Sequence, residues 1–499
     1  MATVLPRTEL TDEALAAFAD ALGEDRVLTA PEELVEWRDP YDYKGSDDYT
    51  GSAVVFPASV EQVQAIVRVA NEHRVPLWTS GQGRNYAYGG PAPRVRGSVL
   101  VSFRNMNRVL EVNDELAYAV IEPGVRFFDL HDHLVAGGHK LWCSIPDLGW
   151  GSIVGNTLEY GRGYTPYGDH PSTACGLEVV LPDGELFRTG MGGMTDSKTF
   201  HAYPWSFGPS HQWLFFQSNY GIVTKMGVWL MRQPEVYVSG WARFKDDASV
   251  GPFVDAVRDL TLDGTIRNLP LLAYGLSMGD EMKLNSEEWE LRFALYGREK
   301  IVDAQYEIVR QALEAVPGVE VGRRTYHWDE RASADNHNDK VQGGIPGLEL
   351  LEVFQLRYGE DTGHLDLSSV GLLDGRDLVE TITTMRDLFG RTEFPYLVGV
   401  LLLPRSLLHI ATFFFDTKDE RQTRAAYDAY GEMVVELKQR GDTIYRTNIQ
   451  HMDLVAETFD FNDHAQRRLN ERIKDLLDPN GILSPGKQGI WPKHLRPGA

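Results

Sequence analysis

SAVVFPASVEQVQAIVRVANEHRVPLWTSGQGRNYAYGGPAP, residues 52–93, sets a short apolar run, a stretch with apolar residues at helical spacing, and a second apolar run in that order. Such a series reads as a βαβ unit. Its second strand passes directly into Gly81, Gly83, Gly89 and Gly90, a loop that no helix accommodates. Beyond it, SVLVSF, YAVIEP, LEVVLPDGELFRTG and GIVTKMGVWLM alternate with turns mostly too short for helices, which predicts a second, largely antiparallel sheet. From about Tyr237 the pattern changes to long charged helices: FVDAVRDLTL, REKIVDAQYEIVRQALEAV, GRDLVETITTMRDLFG and ERQTRAAYDAYGEMVVELKQRG. LLEVFQLRYG and LLHIATFFFDT between them read as strands, and the chain closes with a helix, NDHAQRRLNERIKDLLD, and a loop, PNGILSPGKQGIWP. The expected class is α+β in two domains, 1–236 and 237–455, followed by a C-terminal segment 456–499.

The 499-residue length suits more than one core and leaves room for a large cofactor. A net charge of −23 argues against nucleic acid and anionic membranes as partners, because both are polyanions. Cys143 and Cys175 are too few for a disulfide framework and lie outside any zinc spacing, so they read as buried free thiols in a reducing compartment. MATVLPRTELTDEALAAFADALG reads as an amphipathic helix rather than a leader, and no apolar run is long enough to span a bilayer. The expectation is a cytoplasmic protein.

A second glycine-dense stretch, LWCSIPDLGWGSIVGNTLEYGRGYTPYGDH (141–170), sets Asp147 after Pro146 and before Leu148, Gly149, Gly151 and Ser152. A carboxylate is thereby offered beside backbone amides that no side chain shields, an arrangement suited to a phosphate-bearing cofactor. The dinucleotide signature GxGxxG after the first strand is absent, and SGQGRNYAYGG opens no helix. Nor is there a GxSxG elbow or a P-loop. His131, His133 and His139 in DLHDHLVAGGHK read as surface histidines at a helix end and turn rather than a metal site.

Taken together, GRNYAYGGPAPRVRGSV, NMNRVLEVN, the 141–170 stretch, LEVVLPDGELFRTGMG, QSNYGIVTKMGVWLM and LDPNGILSPGKQGIWP resemble the vanillyl-alcohol oxidase and p-cresol methylhydroxylase family of FAD-linked oxidoreductases. The resemblance runs from about residue 30 to the C-terminus. It implies an FAD-binding domain, a cap domain with an antiparallel sheet, and a C-terminal segment that returns to the first. It places the FAD pyrophosphate in the loop Ser80, Gly81, Gln82, Gly83, Arg84 and Asn85, with Gly89 beyond it. The isoalloxazine falls near Pro146, Asp147, Leu148, Gly151, Ser152, Gly155 and Asn156, and Glu178, Ile222, Val223 and Lys487 complete the site.

The family's oxidases bond a histidine to the flavin 8α carbon, and its cytochrome-coupled member uses a tyrosine. TGHLDLSSV (362–370) matches the histidine segment, which makes His364 the candidate for an 8α-histidyl link. His409 in LLHIATF is a competitor, and non-covalent FAD the other possibility. The same resemblance assigns Tyr88, Tyr445 and Arg446 to a phenolate, and Asp147 to acid/base work beside flavin N5. Tyr164 and Ser368 join the substrate pocket. The implied reaction is hydride loss from the benzylic carbon of a 4-alkylphenol or 4-hydroxybenzylic alcohol, eugenol-like or lignin-derived compounds included, through a p-quinone methide. Dioxygen is then reduced to hydrogen peroxide. A homodimer is implied by resemblance alone.

Two positions depart from the family pattern: Arg162 stands where relatives carry valine, and Asp366 where they are apolar. An ion pair between them is the simplest expectation, since either charge buried alone is costly; the other is that they meet a polar group on a bulkier substrate. The chain is also shorter than its relatives through 268–297, which would open the cap or alter subunit contacts. Two rival readings stay open, a dehydrogenase passing electrons to a cytochrome and an FAD-containing binding protein without turnover.

Overall fold

The computed structural model describes residues 6–41, 49–279 and 282–496. The first five residues of the N-terminal stretch, and residues 280–281 of the shortened region, lie outside them. Thr11 caps the opening helix Asp12–Leu22 by accepting from the Ala14 N–H. Among the described residues no helix is long and apolar enough to cross a membrane.

The βαβ reading holds as Ala53–Val55, Val60–His73 and Leu77–Ser80, but the two strands are not neighbours. Val99–Ser102 lies between them, parallel to both. This small sheet packs on the helix through Val63, Ile66, Val67 and Ala70. The expected second sheet has five strands, in the order Val109–Asn113, Tyr118–Ile121, Ile222–Trp229, Ala174–Val180 and Leu186–Arg188, every pair antiparallel.

Eight antiparallel strands drawn from Val236–Phe244 to Thr443–Arg446 build the sheet of the second half. Val250–Leu262, Glu299–Glu314 and Gly375–Gly390 cover one face with Val254, Val257, Val302, Val309, Leu378 and Ile382. The opposite face is available for chemistry. Period-two alternation decides which side chains point there: in Thr362–Leu372, Leu365 and Leu367 enter an apolar core while His364 and Asp366 line a cavity. In Met282–Gly297, Leu291 and Phe293 enter the core and Arg292 points the other way.

One expected strand is a helix. LLEVFQLRYG forms Leu350–Tyr358, with Gly359 at its end at φ 63°. Its apolar positions Leu350, Val353 and Phe354 also fit helical spacing, and over so short a run periodicity does not separate the two.

The C-terminal segment packs back on the first half. The Leu77 N–H donates to the Ile482 carbonyl at 2.7 Å and the Ser484 N–H to the Leu77 carbonyl at 2.8 Å. Lys474, fully buried, pairs with Asp478 at 2.7 Å and donates to the carbonyls of Asn219 and Leu483.

Candidate functional site

The two glycine-rich loops meet. A Cβ on Gly81 would come within 2.5 Å of the Ser152 Cβ, so only glycine lets them touch. Ser152 in turn fixes its own loop, donating to the Pro123 carbonyl at 2.6 Å and capping Ile153–Leu158 by accepting from the Gly155 N–H at 2.9 Å. Gly83, Gly89 and Gly90 have φ of 68°, 99° and 58°, values that other residues rarely adopt.

Between the loops and the polar face of the large sheet lies a cavity of about 730 Å³. It is lined by every residue from Ser80 to Asn85, by Tyr88, Pro146, Asp147, Leu148, Gly151, Ser152, Gly155 and Asn156, and by Ile222, Val223 and Lys487. Arg162, Tyr164, His364, Asp366, Tyr445 and Arg446 line it as well. Three expected residues stand outside the lining. Gly89 packs against Ile449. Ser368 sits behind Tyr88, its hydroxyl 3.0 Å from the phenol oxygen. Glu178 is almost fully buried in ion pairs with Arg188 and Lys225, both at 2.8 Å.

The cavity suits FAD. Among the described residues the amides of Gln82, Gly83, Arg84 and Asn85 donate to no backbone carbonyl, which leaves them for phosphate oxygens. A Cβ on Gly151 would meet nothing within 4 Å, and Lys487 is held at the wall by Glu159 at 2.5 Å.

At one end stand the three expected anion binders. The Arg446 guanidinium lies 4.2 Å from the centre of the Tyr88 ring and 6.0 Å from that of Tyr445, and donates to the Asn85 side chain at 3.2 Å. Neighbours in a strand normally face opposite ways, yet both Tyr445 and Arg446 reach the cavity. The cause is a bulge: Ser368 pairs with Arg446 and Ser369 with Ile444, so Tyr445 is the extra residue. Burial raises the Tyr88 hydroxyl well above its ordinary pKa despite Arg446, keeping it a hydrogen-bond donor.

Elsewhere in the cavity Asp147 is held by Tyr164, expected in the pocket, and by two residues that sequence reasoning missed, Arg292 and His337. Arg292 donates to Oδ1 at 2.7 Å, His337 Nε2 stands 2.8 Å from the same oxygen, and the Tyr164 hydroxyl donates to Oδ2. Arg292 also lies 3.8 Å over the Tyr164 ring. Burial alone would raise the Asp147 pKa, but Arg292, His337 and Tyr164 outweigh it and hold the carboxyl well below the usual carboxylate range. A charged residue between Leu291 and Phe293 was the available signal for Arg292; His337, in a polar run, gave none.

His364 is buried beside Phe354, with ring centres 4.5 Å apart, and its Nδ1 lies 3.0 Å from the Tyr41 hydroxyl. Burial lowers its pKa, which favours the neutral imidazole. Tyr41 too went unread, and the chain just beyond it, 42–48, lies outside the described residues. His409 is absent from the lining and meets the Tyr396 hydroxyl at 2.7 Å.

The expected pair between Arg162 and Asp366 is not made. Arg162 pairs with Asp169, across a loop closed by a 2.8 Å bond from the Gly163 N–H to the Gly168 carbonyl. Asp366 accepts from the Thr412 hydroxyl at 2.8 Å. Each charge is met locally, so neither has to reach across the cavity. His131 and His139 are taken up by Asp132 and Asp114, and no metal-binding cluster occurs among the described residues.

Comparisons with known proteins bear on the fold and the cofactor. Residues 51–190 match an FAD binding domain and 407–488 the C-terminal domain of FAD linked oxidases. The flavoprotein subunit of 4-cresol dehydrogenase [hydroxylating] from Pseudomonas putida is 31% identical over 508 residues, covering 96% of this chain and 95% of its own. A 4-ethylphenol oxidase from Gulosibacter chungangensis, solved with isoeugenol, superposes with a TM-score of 0.91 at 33% identity, over 99% of this chain and 100% of that one. Substrate-bound p-cresol methylhydroxylase gives 0.90 at 30%, over 98% and 99%.

Proposed function

Because this chain belongs to the vanillyl-alcohol oxidase and p-cresol methylhydroxylase family of FAD-linked oxidoreductases, we propose that it oxidises para-substituted phenols at the benzylic carbon with dioxygen as final acceptor. The observation that carries this reading is the convergence of Tyr88, Tyr445 and Arg446 in one cavity with Asp147. Bound FAD supplies the acceptor for the two electrons of the benzylic C–H bond.

Two phenolic hydroxyls and a guanidinium donating to one substrate oxygen would favour a phenolate over a phenol, and charge-assisted bonds of this kind are the strong ones. A phenolate pushes electron density to its para carbon, which promotes departure of the benzylic hydrogen with its electron pair. The electron-poor product carbon is then open to water. Water attacking it becomes acidic as the C–O bond forms, so even a weakly basic carboxylate can receive its proton. Asp147, held ionised by Arg292, is suited to that task, or to taking the hydroxyl proton of a benzylic alcohol.

Two simpler experiments test the remainder. With 4-ethylphenol and no added acceptor, the protein is expected to release hydrogen peroxide; turnover only with a cytochrome or an artificial dye supports the dehydrogenase reading, which the 4-cresol dehydrogenase relative favours. His364 is assigned to the flavin link on its place in the wall and its neutral imidazole. Acid precipitation should leave a yellow pellet, and a His364→Ala protein should release its FAD to the supernatant. A colourless wild-type pellet removes the covalent assignment.

A further inference from the structure

Asp147, Glu159, Glu360 and Asp366 supply the carboxylates of the cavity wall. Arg292 meets the first, Lys487 the second, and Glu360 is exposed. Asp366 is different. It is half-buried, and among the described residues no cation pairs with it. The Thr412 hydroxyl donates to Oδ1 at 2.8 Å, which brings a hydrogen bond but no charge, and Oδ2 accepts from no described residue.

The strand Thr362–Leu372 fixes where this carboxylate stands. His364, Asp366 and Ser368 alternate with Leu365 and Leu367, which enter the core, so the three share one face at steps of about 7 Å. Ser368 pairs across the sheet with Arg446, and its hydroxyl lies 3.0 Å from that of Tyr88. Asp366 is therefore one step along the wall from the contact that marks the phenol-oxygen end, on the side toward His364. Its charge is felt there: burial does most to raise the Tyr88 hydroxyl, Arg446 opposes it, and Asp366 adds to it.

An unpaired carboxylate this near a bound phenolate repels it. The conflict is removed when the ligand carries a hydroxyl on the ring carbon next to the phenolate. That hydroxyl donates to Oδ2 while the phenolate takes the donors of Tyr88, Tyr445 and Arg446. A methoxy group in the same place has no proton to give and leaves the carboxylate desolvated without a partner.

We propose that Asp366 is the acceptor for a hydroxyl ortho to the phenol oxygen, so that the cavity takes 4-alkylcatechols in preference to 4-alkylphenols and to their ortho-methoxy counterparts. This rests on Tyr88, Tyr445 and Arg446 receiving the phenol oxygen.

Catechol, phenol and 2-methoxyphenol lack the benzylic carbon, so their dissociation constants are readable from the visible absorption of the FAD-loaded protein without turnover. Wild type should hold catechol about 10-fold or more tighter than phenol, the worth of one hydrogen bond to a charged acceptor, and 2-methoxyphenol more weakly than phenol. Asp366→Ala should remove both differences. Asp366→Asn keeps the shape and an acceptor for Thr412 but offers the ring an amide N–H, and should shift the preference from catechol to 2-methoxyphenol. Equal binding of catechol and phenol in wild type overturns the proposal. So does an unchanged ratio in Asp366→Ala, the result expected if the carboxylate only ties its strand to Thr412. Tyr88→Phe tests the reading beneath: it should weaken catechol and phenol alike. Unchanged phenol binding in that variant strikes the placement of the phenol oxygen, a failure separate from that of the Asp366 ratio.

Discussion

Asp147→Ala is expected to lower kcat by about two to four orders of magnitude, the usual worth of a positioned proton acceptor. The variant removes the one carboxylate that Arg292, His337 and Tyr164 jointly hold, which is the group proposed above to take a proton from the attacking water. FAD content should change little if, as proposed, the loop 80–85 and Lys487 hold the cofactor, since both line the cavity apart from this side chain. Asp147→Asn separates the roles: it keeps an acceptor for Arg292 and the fold, but takes up no proton. If both variants turn over 4-ethylphenol at the wild-type rate, the catalytic role of Asp147 is lost and another group takes the proton; an absence of turnover in wild type is what favours a binding protein.

Arg292→Met should produce the largest loss of stability of any single change near the cavity, about 3–5 kcal/mol at neutral pH, because it leaves a buried carboxylate without its cation. The pH dependence fixes the cause. With Arg292 present, the Asp147 pKa is depressed in the folded protein, so the stabilisation is complete above the unfolded-state value and is lost as pH falls through the folded one. The variant should therefore trail wild type most at pH 7, and the gap should narrow as pH falls and the carboxylate of the folded variant, relieved of Arg292, takes up a proton while that of wild type stays charged. Chemical denaturation of both proteins at pH 7 and pH 3.5 measures this. A gap that does not depend on pH would assign the loss to the cation's packing over Tyr164 instead.

Whatever depends on local pattern was open to reading from the sequence. The βαβ unit, the antiparallel second sheet and the long helices of the second half follow from periodicity and glycine punctuation. The insertion of Val99–Ser102 between Ala53–Val55 and Leu77–Ser80 does not, since pairing order is a tertiary choice. LLEVFQLRYG failed because its apolar residues satisfy both periods. At the site, the loops and the pair Tyr445 and Arg446 were found by resemblance, yet nothing in IYRTN announces the bulge that turns both side chains inward. Arg292 and His337 reach Asp147 from 145 and 190 residues away, separations at which a single sequence carries no pairing information. The charges at 162 and 366 were noticed, and their partners mistaken, because Asp169 and Thr412 solve each burial locally.

The strand Leu77–Ser80 is bonded on one side to Ile482 and Ser484, and Glu159 in the cavity wall is met by Lys487. During synthesis, then, the phosphate loop emerges from the ribosome long before the chain that braces it. The wall that Lys487 braces is complete only when residue 487 has cleared the exit tunnel, so flavin loading waits on that late segment and not on the phosphate loop alone. A flavin met earlier would find one wall of its chamber still unmade.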